Sequence, residues 1–234
     1  IGTSIALGVM RAGAEVQLFD DDGRAQNLAN DLVESVVIED PTIVVIATPT
    51  SALSGVVNRY KNLYPKSTFI DIGSTKTKVK VEVQTDKALS KRFCPTHPMA
   101  GRELDGAEAA QSDLFVGKSW IITPLPETSG ESIALVKELI EKLGARVIAM
   151  SPEDHDSAVA SVSHLPQIIS SLLAAQLENK SPEFLALAGS GVMDTTRIAG
   201  SNPDLWREIL RLNREAIEPL LKDFQKDLST LIDN

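Results

Sequence analysis

Short apolar runs rich in β-branched residues alternate with segments of helical periodicity along the first 150 residues. The clearest run, residues 43–47, is apolar throughout, as expected of a parallel strand buried on both faces. The other strands are predicted at residues 16–19, 68–72, 93–95, 120–122 and 146–150, and the helices between them at 1–10, 51–60, 78–89 and 132–143. Regular alternation of this kind predicts an α/β fold built on a doubly wound parallel sheet.

The pattern changes after residue 152, where the strand signals end. Apolar residues at helical spacing predict a helix over residues 154–177, interrupted at Pro166 because proline lacks the amide proton of a helix interior. Asn202 followed by Pro203 predicts the start of a second long helix. We therefore predict two domains, an α/β domain at residues 1–152 and an all-helical C-terminal domain at residues 153–234.

The opening segment has the pattern of the second half of a mononucleotide-binding unit. A helix, a glycine, a strand and an acid follow one another, and Asp20 lies 18 positions after Gly2. This is near the spacing of about 20 between a glycine loop and the carboxylate that binds ribose. Two interpretations stay open: a Rossmann-type nucleotide site with Gly2 as its third glycine, or an ordinary helix–strand unit with a solvated Asp20.

Composition narrows the class of protein. The net charge of −9 argues against a nucleic-acid partner, which would require a basic face. The single cysteine, Cys94, excludes an internal disulfide and fits a reducing compartment, and its apolar surroundings suggest an inert core residue. We expect no membrane-spanning helix, because no run of apolar residues is long enough to span a bilayer. A cytoplasmic protein is the expectation, although the chain lacks an initiator Met and a targeting segment stays open.

Residues that suit catalysis occur in four separated segments. Ser74 and His97 each follow a predicted strand, at the sheet edge where α/β proteins bind ligands. His164 lies in the first helix of the helical part, and Arg197 lies close to Asp194. Histidine suits proton transfer near neutral pH, and a guanidinium fork suits a carboxylate. Each also has a simpler interpretation: a turn serine, a loop histidine, a core histidine and a surface ion pair.

Taken together, six segments in a fixed order resemble the prephenate/arogenate dehydrogenase family of tyrosine biosynthesis. The matching segments are Ile1-Gly2-Thr3-Ser4, Asp71-Ile72-Gly73-Ser74-Thr75-Lys76, Thr96-His97-Pro98-Met99-Ala100-Gly101, Asp154-His155-Asp156, Ser163-His164-Leu165-Pro166 and Asp194-Thr195-Thr196-Arg197-Ile198-Ala199. They cover nearly the whole chain. The family's first strand with its two leading glycines, and its last helices, are expected to lie beyond this sequence.

The resemblance implies NAD(P)-dependent oxidative decarboxylation of a cyclohexadienyl substrate to an aromatic product. Removal of a hydride from the ring carbon that bears the hydroxyl makes that hydroxyl acidic, so a base must lie beside it. The resemblance makes His97 this base and gives Ser74 the role of orienting the hydroxyl or His97. His155, between two acids early in a helix, is interpreted as structural. No metal is needed, since loss of carbon dioxide with aromatisation supplies the driving force.

The resemblance also implies the binding residues. Substrate would contact Arg197 through a carboxylate, and Asp194 would hold Arg197 in place. Further substrate contacts would come from His164, Glu103 and Trp206. The cofactor would be NAD, with NADP as an alternative, bound by Gly2, Asp20, Thr48, Pro49 and Ser74. Asp20 would repel a 2′-phosphate and so favour NAD, and Arg24 lies near enough to soften that preference. The helical domain would form a homodimer.

Two other functions compete with this interpretation. A β-hydroxyacid dehydrogenase would require a lysine as acid or base in the helical part, where Lys180 is the only lysine before Arg214 and lies in a polar turn. A non-catalytic NAD-binding regulator would bind dinucleotide without needing the four residues Ser74, His97, His164 and Arg197 together. Prephenate and arogenate both remain open as substrates, since no single residue distinguishes a keto from an amino group.

Overall fold

The computed structural model describes residues 1–101 and 106–234, so Glu103 lies outside the described residues. The chain divides into two compact units, Ile1–His155 and Asp156–Asn234. The first combines helices with strands and the second is built of helices, which confirms the predicted fold class. The structure divides the chain after residue 155, whereas the sequence predicts a boundary after residue 152.

Strands and helices largely alternate along the first unit, as predicted, although two short helices replace the single helix predicted at residues 78–89. The strands are β1 (Ile43–Ile46), β2 (Thr68–Asp71), β3 (Thr96–Pro98), β4 (Ser119–Ile122) and β5 (Arg146–Ala149). The helices are α1 (Gly2–Arg11), α2 (Gly23–Leu32), α3 (Leu53–Tyr60), α4 (Thr77–Gln84), α5 (Lys87–Ser90), α6 (Gly130–Lys142) and the start of α7 (Pro152–Val159). Two short 3-10 turns lie at Thr50–Ala52 and Ala107–Ala109.

The strands pair largely in parallel. β1 pairs with β2 and β4 pairs with β5, both in parallel register. A parallel bridge between Phe69 and Phe93 joins β2 to the segment before β3. β3 differs from the prediction in two ways. It begins at Thr96, after the predicted strand at residues 93–95, so His97 lies within the strand and not after it. It also runs antiparallel to β4, with His97 opposite Ile121. The antiparallel pairing is continued by Met99, whose N–H donates to the Ser119 carbonyl over 2.8 Å.

Aromatic side chains fill the core of the first unit. Phe69, Phe93, Phe115 and Trp120 are fully buried. Cys94 is equally buried, and burial raises the pKa of its thiol to about 12, with the nearby Asp71 carboxylate acting in the same direction. A thiol with so high a pKa holds almost no thiolate at neutral pH, so Cys94 is the inert core residue that the sequence predicts.

Residues 16–19 do not form the predicted strand. The Val16 carbonyl accepts from the Val36 N–H over 2.9 Å, but the Leu18 N–H donates to the Ser35 hydroxyl. The Ile38 N–H donates to the Gln17 side chain. Side chains therefore take the place of main-chain partners here, and the regular ladder that defines a strand is interrupted.

The second unit continues α7 and consists of further helices. They are α8 (Leu165–Leu177), α9 (Pro182–Leu185), α10 (Ser190–Thr196), α11 (Pro203–Leu212) and α12 (Arg214–Asp233). A π-helical segment, Ala160–His164, joins α7 to α8, and a 3-10 turn, Arg197–Gly200, follows α10.

Two predicted helices differ in detail from the structure. Pro166 does not interrupt its helix, because the π segment directly before it widens the turn where the ring would meet a carbonyl. Asn202 caps α11 as predicted and accepts from the N–H groups of Asp204 and Leu205. The long helix from Pro203 is broken at Asn213, whose φ of −108° and ψ of 23° separate α11 from α12.

One helical stretch, Pro152–Leu177, is long and apolar enough to cross a membrane, with 26 residues and a mean hydropathy of 1.4 over its best window. This corrects the prediction that no such run exists. His155, Asp156 and His164 within it are buried inside the protein. Buried polar residues of this kind also occur in core helices of soluble proteins, so the expectation of no membrane association stays a prediction.

Asp86 provides a stability test in the first unit. Its carboxylate caps α5 by accepting from the Ala88 and Leu89 N–H groups, and it pairs with Lys61 over 3.0 Å. These contacts hold the pKa of Asp86 below its ordinary value of 3.8. A lowered pKa stabilises the folded state above the unfolded pKa, and that stabilisation is lost as the pH falls through the folded value.

We therefore expect Asp86→Ala to lower the free energy of unfolding at pH 7 by about 1 kcal/mol, the usual cost of losing a cap. The difference from the unmodified protein should shrink below about pH 4, where the carboxylate becomes protonated. Urea unfolding at several pH values measures this. Asp40→Ala is the matched control, because Asp40 pairs with Lys66 at the surface without capping a helix. Equal losses in both variants would contradict the capping role.

Candidate active site

A buried polar cluster joins the end of β2 to the start of β3. The Asp71 carboxylate accepts hydrogen bonds from the Lys76 ammonium, from the Gly73 N–H over 2.9 Å and from the Thr96 N–H over 3.3 Å. The Lys76 ammonium also donates to the Thr96 carbonyl over 2.6 Å, and Lys76 is fully buried. This cluster therefore fixes the loop that carries Ser74 to the strand residue that precedes His97.

Gly73 fits this loop because it lacks a side chain. A Cβ atom at this position would lie 2.7 Å from the Thr50 Oγ1 and 3.0 Å from the Asp71 Oδ2. Any other residue would push the loop away from the Asp71 carboxylate and shift the half-buried Ser74 that follows. The missing side chain at Gly73 therefore helps to determine where Ser74 lies.

His97 lies in β3 and its ring contacts a second histidine. The His97 Nδ1 is 2.8 Å from the His155 Nε2, and the two rings meet edge to face with centroids 5.1 Å apart. His155 is fully buried, whereas His97 is half-buried. Among the described residues, Ser74 makes no hydrogen bond to His97, so the predicted orienting role of Ser74 toward His97 stays a prediction.

The predicted cofactor residues lie at the end of β1 and in the segment after residue 19. A Cβ on Gly2 would lie 2.8 Å from the Ala47 Cβ, so the start of α1 approaches the end of β1 closely. Thr48 and Pro49 follow Ala47 directly and are exposed. Asp20 is also exposed, and its carboxylate accepts from the Asp22 N–H over 2.9 Å. A close helix–strand approach at this point is the role of the third glycine in a dinucleotide fingerprint.

In the second unit, His164 is buried between an amide and an indole. The Asn213 Nδ2 lies 3.1 Å from the His164 Nδ1, and the Trp206 ring meets His164 edge to face with centroids 5.8 Å apart. His164 is the last residue of the π segment, and such segments are frequent at functional sites. The structure thus brings together two of the predicted substrate residues, His164 and Trp206.

Arg197 follows α10, in a segment whose main chain is held by α8. The buried Ser170 hydroxyl donates to the Thr195 carbonyl over 2.7 Å, and the buried Gln167 amide donates to the Ile198 carbonyl over 2.9 Å. Asp194 and Arg197 are both exposed, and no ion pair joins them within the described parts of the chain. The role of Asp194 as a partner of Arg197 therefore stays a prediction.

Comparison with known proteins identifies the family. A model of the prephenate dehydrogenase nucleotide-binding domain matches residues 2–149, and a model of the prephenate dehydrogenase dimerization domain matches residues 151–234. The chain belongs to the prephenate dehydrogenase family. Together the two models account for the order of the α/β and helical units, and they confirm the resemblance seen in the sequence.

Individual relatives agree with this family. The chain is 32% identical over 230 residues to the cyclohexadienyl dehydrogenase of Zymomonas mobilis, covering 92% of this chain and 78% of that protein. It is 32% identical over 234 residues to the prephenate dehydrogenase of Bacillus subtilis, covering 93% of this chain and 62% of that protein. The prephenate dehydrogenase of A. aeolicus, crystallised with hydroxyphenyl propionate and NAD+, superposes with a TM-score of 0.87 at 29% identity, covering 99% and 86% of the two chains.

Three buried residues near the candidate site residues carry no functional role in the sequence interpretation. Lys76 and Asn213 are not singled out, and the interpretation of His155 as structural stays a prediction. Each acts through a contact with a residue at least five positions away along the chain. The sequence gives only weak indications of these residues. Lys76 lies inside the matching Asp71–Lys76 segment, and His155 lies between two acids.

The buried pair of Lys76 and Asp71 leads to a stability prediction. Lys76→Met would leave the Asp71 carboxylate buried without its cation, which costs about 3–5 kcal/mol of unfolding free energy in other buried pairs. Chemical denaturation with circular dichroism measures the loss. Adding Asp71→Asn to Lys76→Met should restore part of it, because the second change removes the unpaired charge.

Lys80→Met is the matched control. Lys80, in the helix α4 that begins directly after Lys76, pairs with the exposed Glu153 over 2.7 Å, so its loss should cost no more than about 1 kcal/mol. An equal cost for Lys76→Met and Lys80→Met would contradict the special role of the buried pair.

Proposed function

We propose that the protein catalyses the NAD-dependent oxidative decarboxylation of prephenate to 4-hydroxyphenylpyruvate in tyrosine biosynthesis. The observation that carries the proposal is the pairing of His97 with the buried His155, in a chain that both family models match. The named activities of the Zymomonas mobilis and Bacillus subtilis relatives support it. Arogenate, which would give tyrosine directly, is the alternative substrate.

The proposed cofactor is NAD, with NADP as the alternative. The close approach of Gly2 to Ala47 supports this, because the main-chain N–H groups at the start of α1 suit a pyrophosphate. Asp20 would accept hydrogen bonds from the ribose hydroxyls, and Thr48 and Pro49 would contact the cofactor at the end of β1. When bound, the nicotinamide accepts the hydride from the ring carbon that bears the hydroxyl.

His97 is the proposed base. As the hydride leaves, the ring hydroxyl becomes acidic and His97 accepts its proton on Nε2, while Ser74 orients the hydroxyl. The ring carboxylate then departs as carbon dioxide, and the electron pair of its bond enters the ring to complete the aromatic system. The ring oxygen takes a proton back, so the product is a phenol and no net proton is consumed.

His155 is the proposed positioning residue for His97. For the His97 Nε2 to accept a proton, the Nδ1 must carry the other ring proton and donate it to the His155 Nε2, 2.8 Å away. Full burial holds His155 in place, so His97 is kept in one tautomer and one orientation. His155 also accepts a stronger hydrogen bond once His97 becomes positively charged.

Arg197 is the proposed carboxylate ligand on the helical unit. The main chain on either side of Arg197 is held by Ser170 and Gln167, which fixes the point from which its side chain extends. A planar fork with two parallel donors matches a carboxylate better than a lysine would. His164, Trp206, Asp194 and Glu103 remain proposed substrate contacts.

The proposed biological setting follows from the family. The match of residues 151–234 to a dimerization domain supports a homodimer formed through the helical unit. The biosynthetic relatives support a cytoplasmic location. The net charge of −9 supports a small-molecule substrate rather than a nucleic acid, and the proposed chemistry calls for no metal.

The test is His97→Asn in the full-length enzyme. Asparagine keeps a polar side chain but cannot accept a proton, so kcat should fall by about 10²–10⁴, the usual contribution of a general base, with a smaller change in KM. The acidic limb of the pH–rate profile should flatten, because that limb reports protonation of His97. Steady-state kinetics on prephenate and on arogenate, side by side, measure both effects and the substrate preference.

Two controls accompany this test. NAD affinity should stay nearly unchanged, since the proposed cofactor residues lie elsewhere. Ser74→Ala should cost less than His97→Asn, because a misoriented base still acts part of the time. A His97→Asn enzyme with unchanged kcat, or with an unmoved acidic limb, would show that the base is another residue. A protein that turns over neither substrate would favour the non-catalytic NAD-binding alternative.

A further inference from the structure

Asn213 lies at the break between α11 and α12, and its side chain does not cap the helix that follows. Asparagine is among the preferred N-cap residues, yet the Asn213 side chain makes no cap hydrogen bond to α12. Its main chain is fixed instead, with its N–H bonded to the Ile209 carbonyl and its own carbonyl bonded to the Ile217 N–H. Only 4% of Asn213 is exposed, so its amide is used inside the protein.

The Asn213 amide has two partners, and one of them fixes which amide atom is nitrogen. The Nδ2 lies 2.7 Å from the main-chain carbonyl oxygen of Asp156. A carbonyl oxygen only accepts hydrogen bonds, so the atom facing it must be the NH₂ group and not the amide oxygen. The same nitrogen lies 3.1 Å from the His164 Nδ1, where its second N–H can be donated.

This arrangement determines the proton on His164. Because Asn213 is a donor toward the His164 Nδ1, that ring nitrogen must be an acceptor and carry no proton. In a neutral imidazole the single proton then lies on Nε2. Protonation of the Nδ1 would set two donors against each other inside the protein, which is unfavourable where water cannot separate them.

We propose that Asn213 is a positioning residue that holds His164 as a neutral ring with its proton on Nε2. His164 is then a hydrogen-bond donor and not a base, and it suits a carboxylate or keto oxygen of the substrate. The tautomer follows from the helical unit alone, whereas the contact with substrate rests on the proposed function. The π segment that ends at His164 and the edge-on Trp206 ring hold the imidazole in the same orientation.

Nitrogen-15 NMR of the full-length protein, labelled at histidine, tests the tautomer directly. The chain contains three histidines, and a His164→Gln variant identifies the resonances of His164. At pH 7.5 we expect an unprotonated Nδ1 and a protonated Nε2. Asn213→Asp should move the ring proton to Nδ1, because a carboxylate can only accept. Asn202→Asp, the same change at the α11 cap where an acid also caps, should leave the His164 signals unchanged.

Steady-state kinetics provide the second part of the test. Asn213→Asp should raise the KM for prephenate by about 10-fold, the effect of losing one hydrogen bond to a charged group, with a smaller change in kcat. A protonated Nδ1 in the unmodified protein overturns the proposal, as does an Asn213→Asp variant with the original tautomer. A changed tautomer with an unchanged KM overturns the donor role toward substrate. Loss of the proposed function itself would show as no turnover by the unmodified protein, while the NMR result would still decide the tautomer.

Discussion

The buried ion pair between Lys76 and Asp71 is the constraint on which the candidate residues of the α/β unit depend. It lies at the end of β2 and links the Ser74 loop to Thr96, the residue before His97. A buried pair of charges is favourable only when its remaining donors and acceptors are satisfied, and the main chain of Gly73 and of Thr96 does this. The electrostatic requirement of one pair therefore fixes the positions of two separate catalytic candidates. The helical half follows the same principle, since an amide from Asn213 fixes His164.

Much of the fold follows from local sequence patterns. The apolar runs at β1, β2, β4 and β5 predict their strands because β-branched and aromatic side chains favour a pleated, extended backbone. Residues 16–19 fail as a strand because side chains of Ser35 and Gln17 replace the main-chain partners, which no local pattern reveals. Pro166 fails as a helix breaker because a π segment widens the turn before it. These differences arise from contacts that depend on the assembled fold.

The candidate site residues likewise fall into those that the sequence indicates and those that depend on the assembled fold. Ser74 and His97 could be singled out because each follows a predicted strand, and His164 and Arg197 because an imidazole suits proton transfer and a guanidinium suits a carboxylate. The proposed positioning role of His155 could not be predicted, because it depends on a ring 58 positions earlier in the chain. Lys76 and Asn213 are equally hidden, since a buried lysine or asparagine resembles a surface residue until its partners are known. The proposed substrate contacts are thus easier to predict than the residues that hold them.

The central claim is that His97 and His155 act as one unit, and a double-mutant cycle on kcat tests it most directly. His155→Gln alone should lower kcat by up to about 10²-fold, since it removes the partner that orients the base. Because His155 acts only through His97, the account predicts that the double variant, His97→Asn with His155→Gln, has the same kcat as His97→Asn alone. Thermal unfolding of each variant separates this effect from loss of fold. If kcat of the double variant fell by the product of the two single-variant fold-changes, the account would be contradicted.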